Sequence, residues 1–227
     1  MMSNIQVDYL MIKKFFDLIL CFDEFTINQN ESLYTQEWYS GTTSKDWIPY
    51  YKRNPNQARF ALRRRGVGYF ATNCERIDIE IGDYFKSHKT ESSSPDFNRE
   101  LWPRMTGQIE TKEKIQEIKG AFRINSTTKV FDLGTDSKIN KLNNLWNKNF
   151  QENKDIISQI ITKRDQIIYE YSAYFAEQVF EKRFDGIRYK PSTIISNAPL
   201  GPCNDSMLVL FEPEQSGRQL FCIHHSS

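Results

Sequence analysis

Apolar residues at helical spacing mark the second half of the chain. Residues 136–183 contain neither glycine nor proline, the two residues that most often interrupt helices. The apolar positions that share one helix face there are Ile157, Ile160, Ile161, Ile168, Tyr171, Phe175 and Val179. This pattern predicts a long amphipathic helix, which the asparagine-rich residues 143–153 separate from an earlier helix.

A second helical pattern lies near the N-terminus, in residues 7–22. Its apolar positions predict a packed or partner-facing helix surface formed by Leu10, Phe15, Leu18 and Ile19. Four charged residues interrupt the segment and no small-residue cleavage site follows it, so we expect neither a signal peptide nor a membrane span.

Short apolar runs bounded by turn residues predict six strands, at residues 58–62, 67–72, 129–133, 186–189, 207–211 and 220–223. Further helices are predicted at residues 77–85, with Asn73 as a cap, and at residues 111–119, and an exposed loop at 86–98. The polar and then aromatic residues 28–51 predict irregular structure. Because helices and strands interleave without regular alternation, we expect an α+β domain at residues 50–227, preceded by an N-terminal extension, helical then irregular, at residues 1–49.

Composition and charge limit the binding partners and the cellular compartment that we expect. Thirty basic and twenty-nine acidic residues leave a net charge of +1, which disfavours general binding to nucleic acid or to a membrane. The four cysteines are far apart and only three histidines are present, so no metal site is expected. Four unpaired thiols suit a reducing, cytoplasmic environment.

Two blocks of sequence contain the candidate chemistry. The first block contains Arg59 and Phe60, then Tyr69 ten residues after the arginine, and Glu80 eleven residues later. The second block reads Asp-Gly-Ile-Arg-Tyr-Lys-Pro-Ser at residues 185–192 and leads to Leu-Val-Leu-Phe at 208–211. In motif order and spacing, and in a Val-x-Asp-Leu run at 130–133, residues 50–215 resemble the RES-domain family. Residues 1–49 have no counterpart in that resemblance.

The resemblance implies a fold similar to ADP-ribosyltransferases, with a mixed or antiparallel sheet flanked by helices. It implies an NAD-degrading toxin that works by hydrolysis or phosphorolysis, with an antitoxin or immunity protein as partner. NAD would then be a consumed substrate, and no bound cofactor is expected. The residues that match the family's catalytic positions are Arg59, Tyr69, Glu80 and Ser192. The chain departs from the family pattern at Ala58, at Ala61 and after Ser192.

The chemistry of these residue types fits that reaction. Cleaving the nicotinamide–ribose bond builds positive charge on C1′ of the ribose, which the carboxylate of Glu80 would stabilise. A planar guanidinium such as that of Arg59 binds phosphate in a bidentate manner. Tyr69 offers a ring face and a hydroxyl, and Ser192 offers a hydrogen bond. Phe60 and Arg65 complete the predicted substrate-binding set.

Each residue also has a purely structural interpretation. Arg59 is one of five arginines within residues 53–65 and, on this interpretation, is solvated at the surface. Tyr69 would be a strand core residue, and Ser192 would be a turn residue. Glu80 depends on local structure, because its side chain shares an apolar face on a helix but faces water on a strand.

Two alternative functions therefore stay open at this point. One is an ADP-ribosyltransferase that modifies a macromolecule. The other is a non-enzymatic interaction or nucleic-acid-binding domain that uses the arginines at residues 63–65. The N-terminal extension has three alternative roles: a homodimer interface, an inhibitory cap, or a docking surface for an immunity partner. The glycines at 66 and 68 lack the third glycine and the preceding strand of a Rossmann fingerprint.

Overall fold

A computed structural model of the chain describes residues 8–19, 22–27, 32–36, 38–42, 59–63, 65–72, 118–152, 154–162, 166–190, 206–212 and 220–226. Its helices are α1 (Tyr9–Leu18), α2 (Ser32–Thr35), α3 (Asp136–Phe150), α4 (Ile156–Thr162) and α5 (Gln166–Glu181), with a short 3-10 helix at Asp23–Phe25. Its strands are β1 (Trp38–Thr42), β2 (Val67–Ala71), β3 (Ile118–Ile124), β4 (Val130–Leu133), β5 (Gly186–Tyr189), β6 (Met207–Phe211) and β7 (Leu220–Ser226).

One mixed sheet organises the described part of the chain. Its seven strands lie in the order β4-β5-β6-β2-β1-β3-β7. The pair β4–β5 is parallel and the other neighbours are antiparallel. The predicted α+β class, a mixed sheet flanked by helices, is confirmed.

Helix α2 and strand β1 lie where the sequence predicts irregular structure, and that prediction is wrong for Ser32–Thr35 and Trp38–Thr42. The strand pairs with β2 on one side and β3 on the other. Trp38 is fully buried, and its indole Nε1 donates to the carbonyl of Leu33 at 2.9 Å. Residues 28–51 therefore contribute an interior strand to the sheet. Strand β3 similarly contains Ile118 and Lys119, the last two residues of the helix predicted at 111–119, so that prediction is wrong for these two residues.

Helix α1 packs into the main core. Asp8 caps it by accepting a hydrogen bond from the backbone N of Leu10 at 3.0 Å. The helix buries Ile12, Phe15 and Phe16, and the ring of Phe16 lies 4.8 Å from that of Phe175 on α5. The predicted inward positions of Phe15 and Ile19 are confirmed as buried.

The other two predicted positions of α1 are not packed into the core. Leu10 and Leu18 are 52% and 48% exposed, and the prediction that they face a partner stays a prediction. At 100° per residue, Ile12, Phe15, Phe16 and Ile19 form one stripe, and both leucines lie outside it.

Helix α3 runs through most of the asparagine-rich segment. Thr135 caps its start, and it ends at Gln151, which adopts a left-handed conformation. Buried Asn143 joins α3 to α4, because its side-chain amide donates to Ser158 Oγ at 2.7 Å and accepts from Ser158 N at 3.1 Å. The predicted separation of the helices thus begins at residue 151, later than expected. The predicted long helix is described as α4 and α5, with residues 163–165 between them outside the described residues.

The register of the sheet defines two faces. The helix-covered face packs against α1, α3, α4 and α5 and contains one row of aligned residues, Phe131, Ile187, Val209 and Tyr69, and a second row, Leu133, Tyr189, Met207 and Ala71. The opposite face contains a row formed by Asp132, Arg188, Leu208 and Phe70. Among the described residues, no helix has the length and apolar character needed to cross a membrane.

Candidate functional site

The segment around Arg59 forms a turn in place of the predicted strand at 58–62, so that prediction is wrong for its described residues, 59–62. Phe60 has φ 59, in the left-handed region that bulky side chains rarely adopt. Such a conformation costs on the order of 1–3 kcal/mol and persists only where surrounding contacts enforce it. Here the ring of Phe60 is fully buried and lies 4.9 Å from the ring of Tyr189. We call residues 59–63 the Arg59 turn.

Two predicted site residues meet at this turn. Tyr69 lies in the middle of β2 on the helix-covered face, and its hydroxyl donates to the backbone carbonyl of Arg59 at 2.6 Å. The ten-residue spacing of the motif therefore corresponds to a direct contact. The phenol orients the turn that bears the arginine.

The side chain of Arg59 is buried, with 8% of the residue exposed. Its Nη2 donates to the carbonyl of Thr162, the last residue of α4, at 3.4 Å. Its Cζ lies 5.8 Å from the ring centroid of Tyr189 at the end of β5. The interpretation of Arg59 as a solvated surface arginine is therefore wrong.

Glu80 and Ser192 lie outside the described residues, so the predicted helix at 77–85 and the roles of both residues stay predictions. The described residues of this segment end at Lys190, two positions before Ser192. Lys190 Nζ pairs with Asp136 Oδ2 at 2.7 Å, which ties the end of β5 to the start of α3.

The arginines at positions 63 and 65 pair with carboxylates. Arg63 Nε lies 3.8 Å from Glu177 Oε1, and Arg65 Nη1 lies 3.1 Å from Glu212 Oε1. The guanidinium of Arg65 also stacks on Phe180 at 4.6 Å. These contacts disfavour a phosphate-binding surface built from the two arginines, because their charge is already compensated. The contacts of Arg65 are with Glu212 and Phe180 rather than with Arg59, so its predicted role in substrate binding stays a prediction.

The Asp-Gly-Ile motif builds the parallel strand pair. Asp185 Oδ2 accepts from the backbone N of Lys129 at 2.7 Å, next to the start of β4. A Cβ atom at Gly186 would lie 2.3 Å from the carbonyl oxygen of Val209, so only glycine fits beside β6. These motif residues set the position of β5 and thereby of Tyr189.

One charged cluster was missed by sequence reasoning. Asp132, 3% exposed, accepts from the backbone N of Gly134 at 2.9 Å and pairs with Lys138. Arg188 Nε lies 3.9 Å from Asp132 Oδ1 and donates to Ser206 Oγ at 3.2 Å. We call these five residues the Asp132 cluster; it lies at the carboxyl ends of β4 and β5 on the opposite face. The available signal was a carboxylate within the apolar run Val-Phe-Asp-Leu, which requires a partner when buried.

Two ionisable groups near the Arg59 turn are shifted by burial. Desolvation raises the pKa of Glu177, against the opposing effect of its hydrogen bond and ion pair with Arg63. Desolvation and a hydrogen bond with Glu170 raise the pKa of Tyr9 to about 12. Within the described ranges, no three histidine, cysteine or acidic side chains are grouped as a metal site.

No protein-family model matches the sequence, and no curated protein matches it. Among solved structures, the fold is similar to a chain of the crystal structure of the M. tuberculosis MbcT–MbcA toxin–antitoxin complex. The TM-score is 0.55 and the sequence identity is 12%, and the match covers 95% of this chain and 91% of that chain. At this identity the similarity establishes a shared fold.

Proposed function

We propose that this protein is a toxin of the RES type that cleaves NAD at the bond between nicotinamide and ribose. The observation that carries the proposal is the contact between Tyr69 and the Arg59 turn, with the guanidinium of Arg59 beside Tyr189. Arg59 and Tyr69 belong to the first of the two sequence blocks, and Tyr189 belongs to the second. Ser192, another predicted site residue, follows Tyr189 by three positions. The similarity of the fold to a chain of a toxin–antitoxin complex supports the same proposal.

In the proposed reaction, the bond between C1′ of the ribose and the nicotinamide nitrogen breaks. The electron pair goes to the pyridine nitrogen, nicotinamide leaves as a neutral molecule, and positive charge develops on the ribose. The carboxylate of Glu80 would stabilise that charge. Water or phosphate then forms the new bond to C1′ and, in the case of water, releases a proton.

Arg59 would bind the pyrophosphate of NAD. A guanidinium offers two parallel donors to phosphate oxygens, and the Arg59 turn fixes the backbone from which it extends. The contact of its Nη2 with the Thr162 carbonyl is 3.4 Å, which is long for a hydrogen bond, so exchanging it for a phosphate oxygen costs little. Tyr69 would act mainly by orienting this turn.

Incubation of the purified protein with NAD tests the proposal. We expect free nicotinamide from the wild type, and a rate that rises with added phosphate if phosphorolysis is the reaction. Glu80→Gln keeps the shape of the side chain and should abolish release. Release by Glu80→Gln at the wild-type rate, or none by the folded wild type, would contradict the proposal.

The same assay separates the alternatives. NAD labelled in the adenylate part would yield a labelled macromolecule if the protein is an ADP-ribosyltransferase, and free ADP-ribose or its phosphate if it is not. We propose an antitoxin as the neutralising partner, and a cytoplasmic site of action where NAD is available. Growth arrest on expression, relieved by Glu80→Gln, is the expected result in cells.

A further inference from the structure

Backbone N–H groups of the Arg59 turn contact side chains of helix α5. The N–H of Phe60 lies 3.4 Å from Ser172 Oγ, and the N–H of Arg63 donates to Glu177 Oε1 at 3.1 Å. Both acceptors lie on α5, five residues apart. The Phe60 contact is buried, where a backbone donor requires a partner, and the Arg63 contact lies at the surface. The side chains of one helix therefore fix both the strained position and the end of the turn.

Glu177 makes the stronger of the two contacts. Its acceptor is a carboxylate, which shortens and strengthens a hydrogen bond from a backbone amide. The same oxygen lies 3.8 Å from Arg63 Nε, so one atom contacts both the backbone and the side chain of Arg63. On α1, the ring of Tyr9 lies 5.9 Å from Arg63 Cζ, so the guanidinium is held between two helices.

Glu177 contacts Arg63 rather than Arg59, the residue proposed to bind the pyrophosphate. Arg63 lies four positions after Arg59, and the side chain of Glu177 is 22% exposed. An ion pair at the surface adds little to stability, and Arg63 is itself 44% exposed. The main consequence of the contact is therefore geometric, because it fixes the end of the turn relative to α5.

We propose that Glu177 is a positioning residue that sets the affinity for the anionic part of the substrate through the Arg59 turn. The identity of the substrate rests on the proposed function. When Glu177 fixes the turn at Arg63, the carbonyl of Arg59 stays in position to accept the hydrogen bond from the Tyr69 hydroxyl. A turn released at Arg63 would bind the pyrophosphate less well, while the chemical step at C1′ of the ribose would keep its rate.

Kinetics of NAD cleavage by Glu177→Ala, Glu177→Gln and Glu152→Ala test this role. Glu152 is a matched control, because its carboxylate accepts from Trp146 Nε1 at 2.7 Å on α3, away from the turn. We expect Glu177→Ala to raise KM about tenfold with kcat within twofold of the wild type, the pattern of lost ground-state binding. Glu177→Gln, which retains an acceptor oxygen, should restore most of the affinity. Glu152→Ala should leave KM unchanged.

Amide hydrogen exchange gives a readout that does not depend on NAD. We expect faster exchange at Arg63 in Glu177→Ala than in the wild type and Glu177→Gln. Unchanged exchange at Arg63, or an equal KM in all variants, would overturn the proposal. If the wild type fails to cleave NAD, the proposed function fails, and exchange at Arg63 and Phe60 alone decides whether Glu177 holds the turn.

Discussion

On the helix-covered face of the sheet, Tyr69 contacts the backbone of the Arg59 turn, whereas on the opposite face Asp132 joins charged side chains to one another. The first arrangement fixes a turn in a strained conformation, with φ 59 at Phe60. The second ties together the ends of β4 and β5 and the first turn of α3. The two regions are adjacent in the sheet, because Tyr189 and Arg188 are neighbours on β5.

Under the proposed function, this difference separates a region that binds the substrate from a region that maintains the fold. A strained turn is retained where the surrounding structure enforces it, and such sites are often functional. A buried carboxylate between two cations is sensitive to the loss of any member, because the remaining charges lose their partner. Substitutions on the two faces should therefore affect different quantities.

Removing the charge of Asp132 should have the largest effect on stability. Asp132→Asn keeps an acceptor for Gly134 N but leaves Lys138 and Arg188 without their carboxylate. We expect a loss of about 3 kcal/mol in the free energy of unfolding, or roughly 6–12 °C in Tm for a chain of this size. Urea and thermal unfolding measure this loss. A change below about 0.5 kcal/mol would show that the cluster behaves as an exposed ion pair.

A strand with a continuous apolar sequence could be predicted from the sequence. Met207–Phe211 is predicted with its observed bounds, because all five of its residues are apolar and buried. Gly186–Tyr189 is also predicted with its observed bounds, although Arg188 interrupts its apolar residues and is only partly buried. Strand β1 could not be predicted, since Trp-Tyr-Ser-Gly-Thr has no apolar alternation and is held in place by pairing with β2 and β3.

The proximity of two candidate residues could be predicted. The resemblance to the RES-domain family grouped Arg59 and Tyr69, and the structure places them in contact, whereas their roles stay predictions. The mostly apolar Ala-Arg-Phe-Ala-Leu run favours a strand, and only contacts with α5 and Tyr189, more than 100 positions later, impose the turn. Asp132 and Arg188 are 56 positions apart, so no local pattern connects them.

Two tyrosines, one on each face of the sheet, make equivalent hydrogen bonds, so substituting them compares the two faces. The hydroxyl of Tyr69 donates to the Arg59 carbonyl at 2.6 Å, and that of Tyr34 donates to the Thr128 carbonyl at 2.7 Å. Replacing either with phenylalanine should cost about 1 kcal/mol of stability. Only Tyr69→Phe should also raise KM for NAD, by about fivefold, the factor that about 1 kcal/mol represents. Equal KM values in the two variants would remove the distinction between the faces.

The smallest expected effect is a pH dependence from Glu177. Desolvation raises its pKa above the ordinary value of a glutamate; Glu181 adds to the rise, and Arg63 and Arg65 oppose it. The folded state therefore binds this proton more tightly than the unfolded state. The stability from this group is present below the unfolded pKa and is lost as the pH rises through the folded pKa.

Thermal unfolding of the wild type and Glu177→Gln between about pH 4 and pH 7 checks this sign. We expect the wild type to lose stability relative to the variant as the pH rises. A relative gain over the same interval would mean that the pairing with Arg63 outweighs desolvation.

The central claim is that the Arg59 turn on the helix-covered face binds NAD for cleavage. The most direct measurement is nicotinamide release by the wild type, Arg59→Lys and Asp132→Asn, at a temperature at which all three are folded. We predict wild-type kcat/KM for Asp132→Asn, and a reduction of about 100-fold for Arg59→Lys, equivalent to about 2.7 kcal/mol, because lysine cannot bind phosphate in a bidentate manner. Equal kcat/KM for Arg59→Lys and the wild type would contradict the claim.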